Sequence, residues 1–145
     1  MKSHLLVGVF FFTFALGCQA QAKADGILGE WMAPTKDGRI LIYKNNDKFF
    51  GKITWGTGGS GTDDNNPDPK LRGRKVIGME ILKDFVFDDD EWVDGTIYDP
   101  REGKTYSCKL SLDDKNTLNI RGYIGISLFG RTETWTRFIS GQSPD

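Results

Sequence analysis

The chain has 145 residues, with 19 basic and 20 acidic side chains and one histidine. This near-neutral balance excludes the basic surface that a nucleic-acid-binding domain needs, so no nucleic-acid partner is expected. The length suits one domain with a core of its own, without disulfide or metal staples.

Lys2 and His4 precede an apolar stretch from Leu5 to Leu16, followed by small residues. That order is a secretion signal, and the stretch is short for a membrane span. Ala20-Gln21-Ala22 meets the small-x-small rule for cleavage before Lys23, which predicts a signal peptide over residues 1–22 and a single domain over residues 23–145. Ala15-Leu16-Gly17-Cys18 offers a competing reading, a lipid anchor at Cys18. Both place the folded domain outside the cytoplasm, periplasmic or secreted. No second apolar segment is long enough to give the mature chain a transmembrane span. With His4 in the signal, the mature domain holds no histidine. Most hydrolase mechanisms and most zinc or iron sites are thereby removed, and neither a metal nor another cofactor is expected.

From Ile27 onward the apolar residues recur with period two. Strands are predicted over Ile27–Met32, Arg39–Lys44 and Lys48–Trp55, broken by Lys36-Asp37-Gly38 and Asn45-Asn46-Asp47. Further strands are predicted over Val76–Leu82, Asp84–Phe87, Glu91–Tyr98, Lys104–Leu112, Thr117–Ile124 and Arg131–Ile139. Tight turns at Asp88-Asp89-Asp90, Asp99 to Gly103 and Asp113 to Asn116 join most of them. Such a meander closes on itself because closure removes exposed edges, so the fold class is all-β, a small antiparallel up-and-down barrel of about eight or nine strands. Within Lys104–Leu112, Cys108 alternates with Tyr106, Leu110 and Leu112 and reads as a small buried hydrophobe.

One long connection, Gly56 to Lys75, interrupts the rhythm, and a loop of that length is usually functional. Asp68-Pro69 suits an N-cap and first helical residue, which predicts one short helical turn through Leu71. Asp63, Asn65, Asn66 and Asp68 are hard oxygen donors, yet neither Asp63 nor Asp64 starts a calcium loop with glycine sixth and glutamate twelfth. The nearby Arg72 and Arg74 supply a simpler reading, in which these side chains cap turns and pair with the arginines.

Several phrases resemble a widespread family of exported bacterial domains of uncharacterised function. They are Asp64-Asn65-Asn66-Pro67-Asp68 with Arg72 and Arg74, Trp92 through Pro100, Gly103-Lys104-Thr105-Tyr106, Leu118 through Tyr123, and Gly130-Arg131-Thr132 leading to Trp135-Thr136-Arg137. The resemblance runs from about Gly26 to Arg137 and implies a lipocalin-like, calycin-type barrel. It implies no agreed activity. By the same resemblance Gly29 and Trp31 form the Gly-x-Trp of a closed barrel end, and Arg137 of the last strand lies across the indole as a cation-π partner.

Alternation puts Phe49, Gly51, Ile53 and Trp55 inside the barrel. Trp92, Asp94, Thr96 and Tyr98 form one face of their strand and Val93, Gly95 and Ile97 the other, and either could point inward. Arg121 and Tyr123 pose the same choice against Leu118, Ile120 and Ile124. An inward Arg121 would need Asp94, Asp99 or a bound anion beside it. The candidate ligand-binding residues are therefore Trp55, Asp68, Arg72, Asp94, Tyr98, Arg121 and Tyr123, with no catalytic and no metal-binding residue assigned. The leading reading is an exported, non-enzymatic binder of a small amphipathic or anionic ligand in the bacterial envelope. The alternatives are an envelope protein with a filled barrel that meets a protein partner through the 56–75 loop, and an acid-base hydrolase using Asp94 or Asp99 with Lys104 or Tyr98.

Overall fold

The computed structural model describes residues 14–58 and 61–141. Most of the predicted signal's apolar stretch, two residues of the long loop and the last four residues lie outside this range. The described chain begins with helix α1 (Phe14–Ala24) and a short 3-10 turn (Asp25–Ile27). Eight strands follow: β1 (Gly29–Met32), β2 (Gly38–Asn45), β3 (Lys48–Gly56), β4 (Glu80–Asp88), β5 (Glu91–Asp99), β6 (Lys104–Asp114), β7 (Thr117–Tyr123) and β8 (Arg131–Arg137). They form a closed antiparallel barrel in sequence order, with β8 returning to β1 through Trp31 opposite Arg137.

The two strands predicted over Val76–Leu82 and Asp84–Phe87 are one strand, β4. Asp84 adopts a left-handed conformation with φ 63°, and the register to β3 shifts between Phe49 and Gly51, so this residue marks a bulge and not a break. Val76 to Met79 fold instead as a turn whose last residue accepts from the Ile53 amide through its carbonyl at 2.9 Å. A second bulge sits in β5, where Asp94 has φ 60° and the register to β6 shifts between Trp92 and Gly95. It resets the alternation, so that Trp92, Gly95 and Ile97 share the inner side and Asp94 is exposed on the outside. Neither face read from strict alternation survives this reset.

The helical turn predicted after Asp68 is only a turn. Asp68 Oδ1 does accept from the Lys70 amide at 3.0 Å and the Leu71 amide bonds the Asp68 carbonyl, as an N-cap would. Gly73 then takes φ 83° and the chain doubles back to pair Lys75 with Thr62, which leaves no length for a second turn. The helix that forms is α1, in the segment read as signal. Its residues 17–22 are exposed, and burial begins at Ala24, whose carbonyl accepts from Trp92 Nε1 at 3.2 Å.

The lower half of the barrel is solid. Trp31, Phe49, Phe85 and Trp92 fill it with Ile42, Leu82, Leu110 and Leu118, all buried. Phe49 meets Trp92 edge-on with centroids 6.2 Å apart, a favoured aromatic geometry. Glycines make room at mid-height: a Cβ on Gly51 would stand 2.7 Å from Leu82 Cδ1, and one on Gly95 would enter the Phe85 ring. Cys108 is buried here as expected, and burial pushes its thiol up to about 12, which leaves it inert as a nucleophile.

Candidate functional site: the open end of the barrel

The two ends differ because different residues close them. At the lower end the Trp31 indole donates to the Ile27 carbonyl at 2.9 Å, and the Arg137 guanidinium lies 4.2 Å above its ring. Arg137 also donates to the carbonyls of Gly26 at 2.7 Å, Leu28 at 2.8 Å and Lys115 at 2.6 Å. Gly29 is needed beside it, since its φ of 122° is one that side chains rarely adopt and a Cβ would stand 3.0 Å from Arg137 Nη1. The Gly-x-Trp and arginine thus plug this end, as the resemblance implied.

At the upper end the inward residues are Ile40, Ile53, Ile81, Ile97 and Ile120, with Gly122 above them, and together with Trp135 they enclose the base of a cavity of about 590 Å³. Branched aliphatics and a glycine leave space where aromatics at the same height would fill it. Toward the mouth the walls turn polar. Asp37, Asp64, Asp99, Glu102 and Glu133 line it together with Arg101 and Arg131. Glu133 faces inward because Trp135, two residues on along β8, does so, and its carboxylate lies 3.9 Å from Arg131.

Two loops arch over this mouth. Arg101, in the turn after β5, reaches Asp37, in the turn before β2, at 2.7 Å. Strands β2 and β6 stand opposite each other in an eight-strand ring, so this ion pair spans the opening. The long loop is pinned to the same rim. Its ends form a small ribbon through the Thr62–Lys75 bridge, Asn65 Nδ2 donates to the Arg101 carbonyl at 2.8 Å, and Gly103 lies against the Asn65 backbone.

Asp63 is the centre of that anchorage. Its fully buried carboxylate accepts from Tyr98 Oη at 2.6 Å, from Asn66 Nδ2 at 2.8 Å, and from Arg74 Nε and Nη2 at 2.9 Å each. The pairing of loop carboxylate with arginine read from the sequence is therefore realised by Asp63 and Arg74, while Arg72 donates to the Asn66 carbonyl at 2.7 Å. Burial alone would raise the Asp63 carboxyl. The hydrogen bonds from Tyr98, Asn66 and Arg74, with the arginine's charge, outweigh it and hold the pKa below its ordinary 3.8. The Tyr98 phenol moves the other way, raised by burial and then by its bond to Asp63.

A carboxyl with a depressed folded-state pKa contributes stability that is complete above its unfolded value and is lost as the pH falls through the folded one. Proteolysis of the 57–79 loop should accordingly stay slow at neutral pH and accelerate below about pH 4. In Asp63→Asn the same loop should be cut readily at pH 7, with the acid step gone. An acid step that persists unchanged in this variant would remove Asp63 from the role.

The sequence-predicted candidates fall into three groups. Trp55 and Tyr98 line the cavity, Trp55 at the top of β3 with the Arg39 guanidinium 4.9 Å from its ring. Asp68 and Arg72 lie on the exposed part of the long loop. Asp94, Arg121 and Tyr123 lie away from the cavity. Arg121 is on the outer face of β7, where it donates to Thr132 Oγ1 at 2.8 Å and to the Leu128 carbonyl at 3.2 Å, so the question of an inward arginine paired with Asp94 or Asp99 is answered in the negative. Its neighbours Leu118 and Ile120 take the inner face. From the sequence Ile53 was placed inward and Ile97 and Ile120 were left open, while Ile40, Ile81 and Glu133 were missed. The signal for Glu133 was present in the alternation of β8, since a buried Trp135 carries it inward.

A family model described as an uncharacterized protein conserved in bacteria, DUF2147, matches residues 29–137. The chain belongs to this family. The match starts at the Gly29 of the closed-end plug and stops at Arg137, so it spans the whole barrel of this DUF2147 protein. A solved structure of a Helicobacter pylori protein, described as belonging to the lipocalin family, superposes with a TM-score of 0.69 at 24% identity, covering 79% of this chain and 84% of that one. That likeness is one of fold, and the DUF2147 barrel is lipocalin-like. No curated protein matches the chain.

Proposed function

We propose that this DUF2147 protein is an exported, non-enzymatic carrier that holds a small amphipathic ligand in the open end of its barrel. The observation that carries the reading is the cavity of about 590 Å³, apolar at its base and polar at its mouth. Its size lies within the usual range of about 300–1,000 Å³ for small-molecule sites. The apolar part of the ligand sits on the isoleucines, and its polar end lies level with Glu133, Tyr106 and the Asp37–Arg101 pair. Five carboxylates against two arginines in the lining favour a neutral or cationic polar end over an anionic one. The cavity speaks against a wholly filled barrel, and the inward bonds of Asp63 and Asn65 commit part of the long loop to the rim instead of to a protein partner.

Native mass spectrometry of protein purified from cells tests the proposal, together with titration by the uncharged probe N-phenyl-1-naphthylamine. Added small-molecule mass or saturable probe fluorescence is expected, and Ile97→Trp, which fills the floor, should weaken probe binding roughly tenfold or more while the fold is kept. Neither added mass nor probe binding, with a folded protein, would end the carrier reading.

A further inference from the structure

The loop between β7 and β8 exposes what a protein of this kind normally hides. Ile124, Ile126, Leu128 and Phe129 are 76%, 59%, 75% and 79% exposed, and the 3-10 turn Ser127–Phe129 carries the last two at the loop's tip. From Gly122 to Gly130 there is no charged residue, and Arg121 and Arg131 stand at the two ends of this stretch. The Arg121 bond to the Leu128 carbonyl holds its guanidinium against the loop. The loop rises at the open end, the same end as the cavity mouth and as the partly exposed Leu71 and Ile77 of the long loop.

We propose that this loop docks the barrel, mouth first, on a lipid bilayer that carries anionic headgroups. Large aliphatic and aromatic side chains on the loop, flanked by Arg121 and Arg131 and with Lys70, Arg72 and Lys75 exposed on the long loop at the same end, match the acyl chains and headgroup phosphates that such a surface presents, while the carboxylates of the mouth line the cavity inside this rim. A protein partner is the poorer fit, because a stable interface uses about 20–30 residues a side on a matching surface, and one loop tip offers far fewer. The barrel itself stays outside the hydrocarbon, since its core is apolar on the inside and outer-face residues such as Lys83 and Asp84 are charged and exposed. Docking in this orientation lets an amphipathic molecule pass between bilayer and cavity without crossing water.

The test is flotation of the purified chain with vesicles of phosphatidylcholine and with vesicles of phosphatidylcholine plus phosphatidylglycerol, compared with Leu128→Ser/Phe129→Ser carrying the same N-terminus. The unmodified chain should float, more completely with the anionic lipid, and the double variant should bind roughly tenfold or more weakly at an unchanged thermal midpoint. In a second measurement, Leu128→Cys in a Cys18→Ser background is labelled with an environment-sensitive dye, Cys108 being buried. A blue shift on adding vesicles is expected. Equal flotation of chain and variant, or no dye shift, overturns the proposal. So does concentration-dependent self-association that the double variant abolishes while vesicles bind neither protein, which would make a second copy the occupant. Flotation by the loop without probe binding in the cavity would leave the docking standing and remove the carrier function.

Discussion

Trp31→Ala should lower the stability of the barrel by about 3–5 kcal/mol, measured as a shift of the urea midpoint. The indole is fully buried, and its loss leaves a void under Arg137, an unpartnered Ile27 carbonyl and a guanidinium without its ring. Arg137 is itself partly desolvated, which lowers its pKa, and its three carbonyl partners tie together two segments far apart in the chain, Gly26–Leu28 and the turn at Lys115. Arg137→Lys should therefore also destabilise, although the charge is kept, because one ammonium cannot reproduce a planar fork bonded on several sides. Trp31→Phe separates the contributions: the ring face remains while the indole N–H is lost, at a cost of about 1–3 kcal/mol for the orphaned carbonyl. Probe binding at the open end should survive in any of these variants that still folds. A midpoint for Trp31→Ala within 1 kcal/mol of the parent, about the mean for any point substitution, would show that the plug is not what closes the barrel.

Gly95→Ala should be the most damaging single methyl added inside the barrel. The added carbon would occupy the space of the Phe85 ring, and Phe85 is buried between strands with no solvent to move into. Overpacking of this kind costs about 1–3 kcal/mol or more. Phe85→Leu removes the clash while leaving a void of its own, so Gly95→Ala/Phe85→Leu should be more stable than the sum of the two single losses, by a coupling of about 0.5–3 kcal/mol. A ring displaced upward by the methyl would enter the floor of the cavity, and probe binding should weaken in parallel. Strict additivity in the cycle would mean that the ring and the glycine do not share this space.

The closed end was legible in one dimension through the family resemblance. Gly29, Trp31 and Arg137 each carry a chemistry with few alternatives: a positive φ, a large apolar body with one donor, and a planar cation. The strands were nearly as plain, because one buried face imposes period two, and turn residues such as Asn45-Asn46-Asp47 interrupt it. Asp84 and Asp94 misled for a shared reason. Each takes a left-handed conformation inside a strand, so that the strand was read as broken at Lys83, beside Asp84, and Asp94 as part of a regular face.

Composition and period by themselves determined an all-β antiparallel barrel and a buried Cys108, because these depend on local geometry and on which residues water rejects, while the plug at the lower end was implied by the family resemblance. Tertiary structure alone decided that the upper half is hollow. Whether an inward isoleucine packs against a neighbour or borders empty space depends on what faces it across the barrel, from strands far away in the chain. The same distance in sequence separates Asp63 from Tyr98, Asp37 from Arg101 and the apolar β7–β8 loop from the mouth it borders, and only closure of the ring brings them to one end.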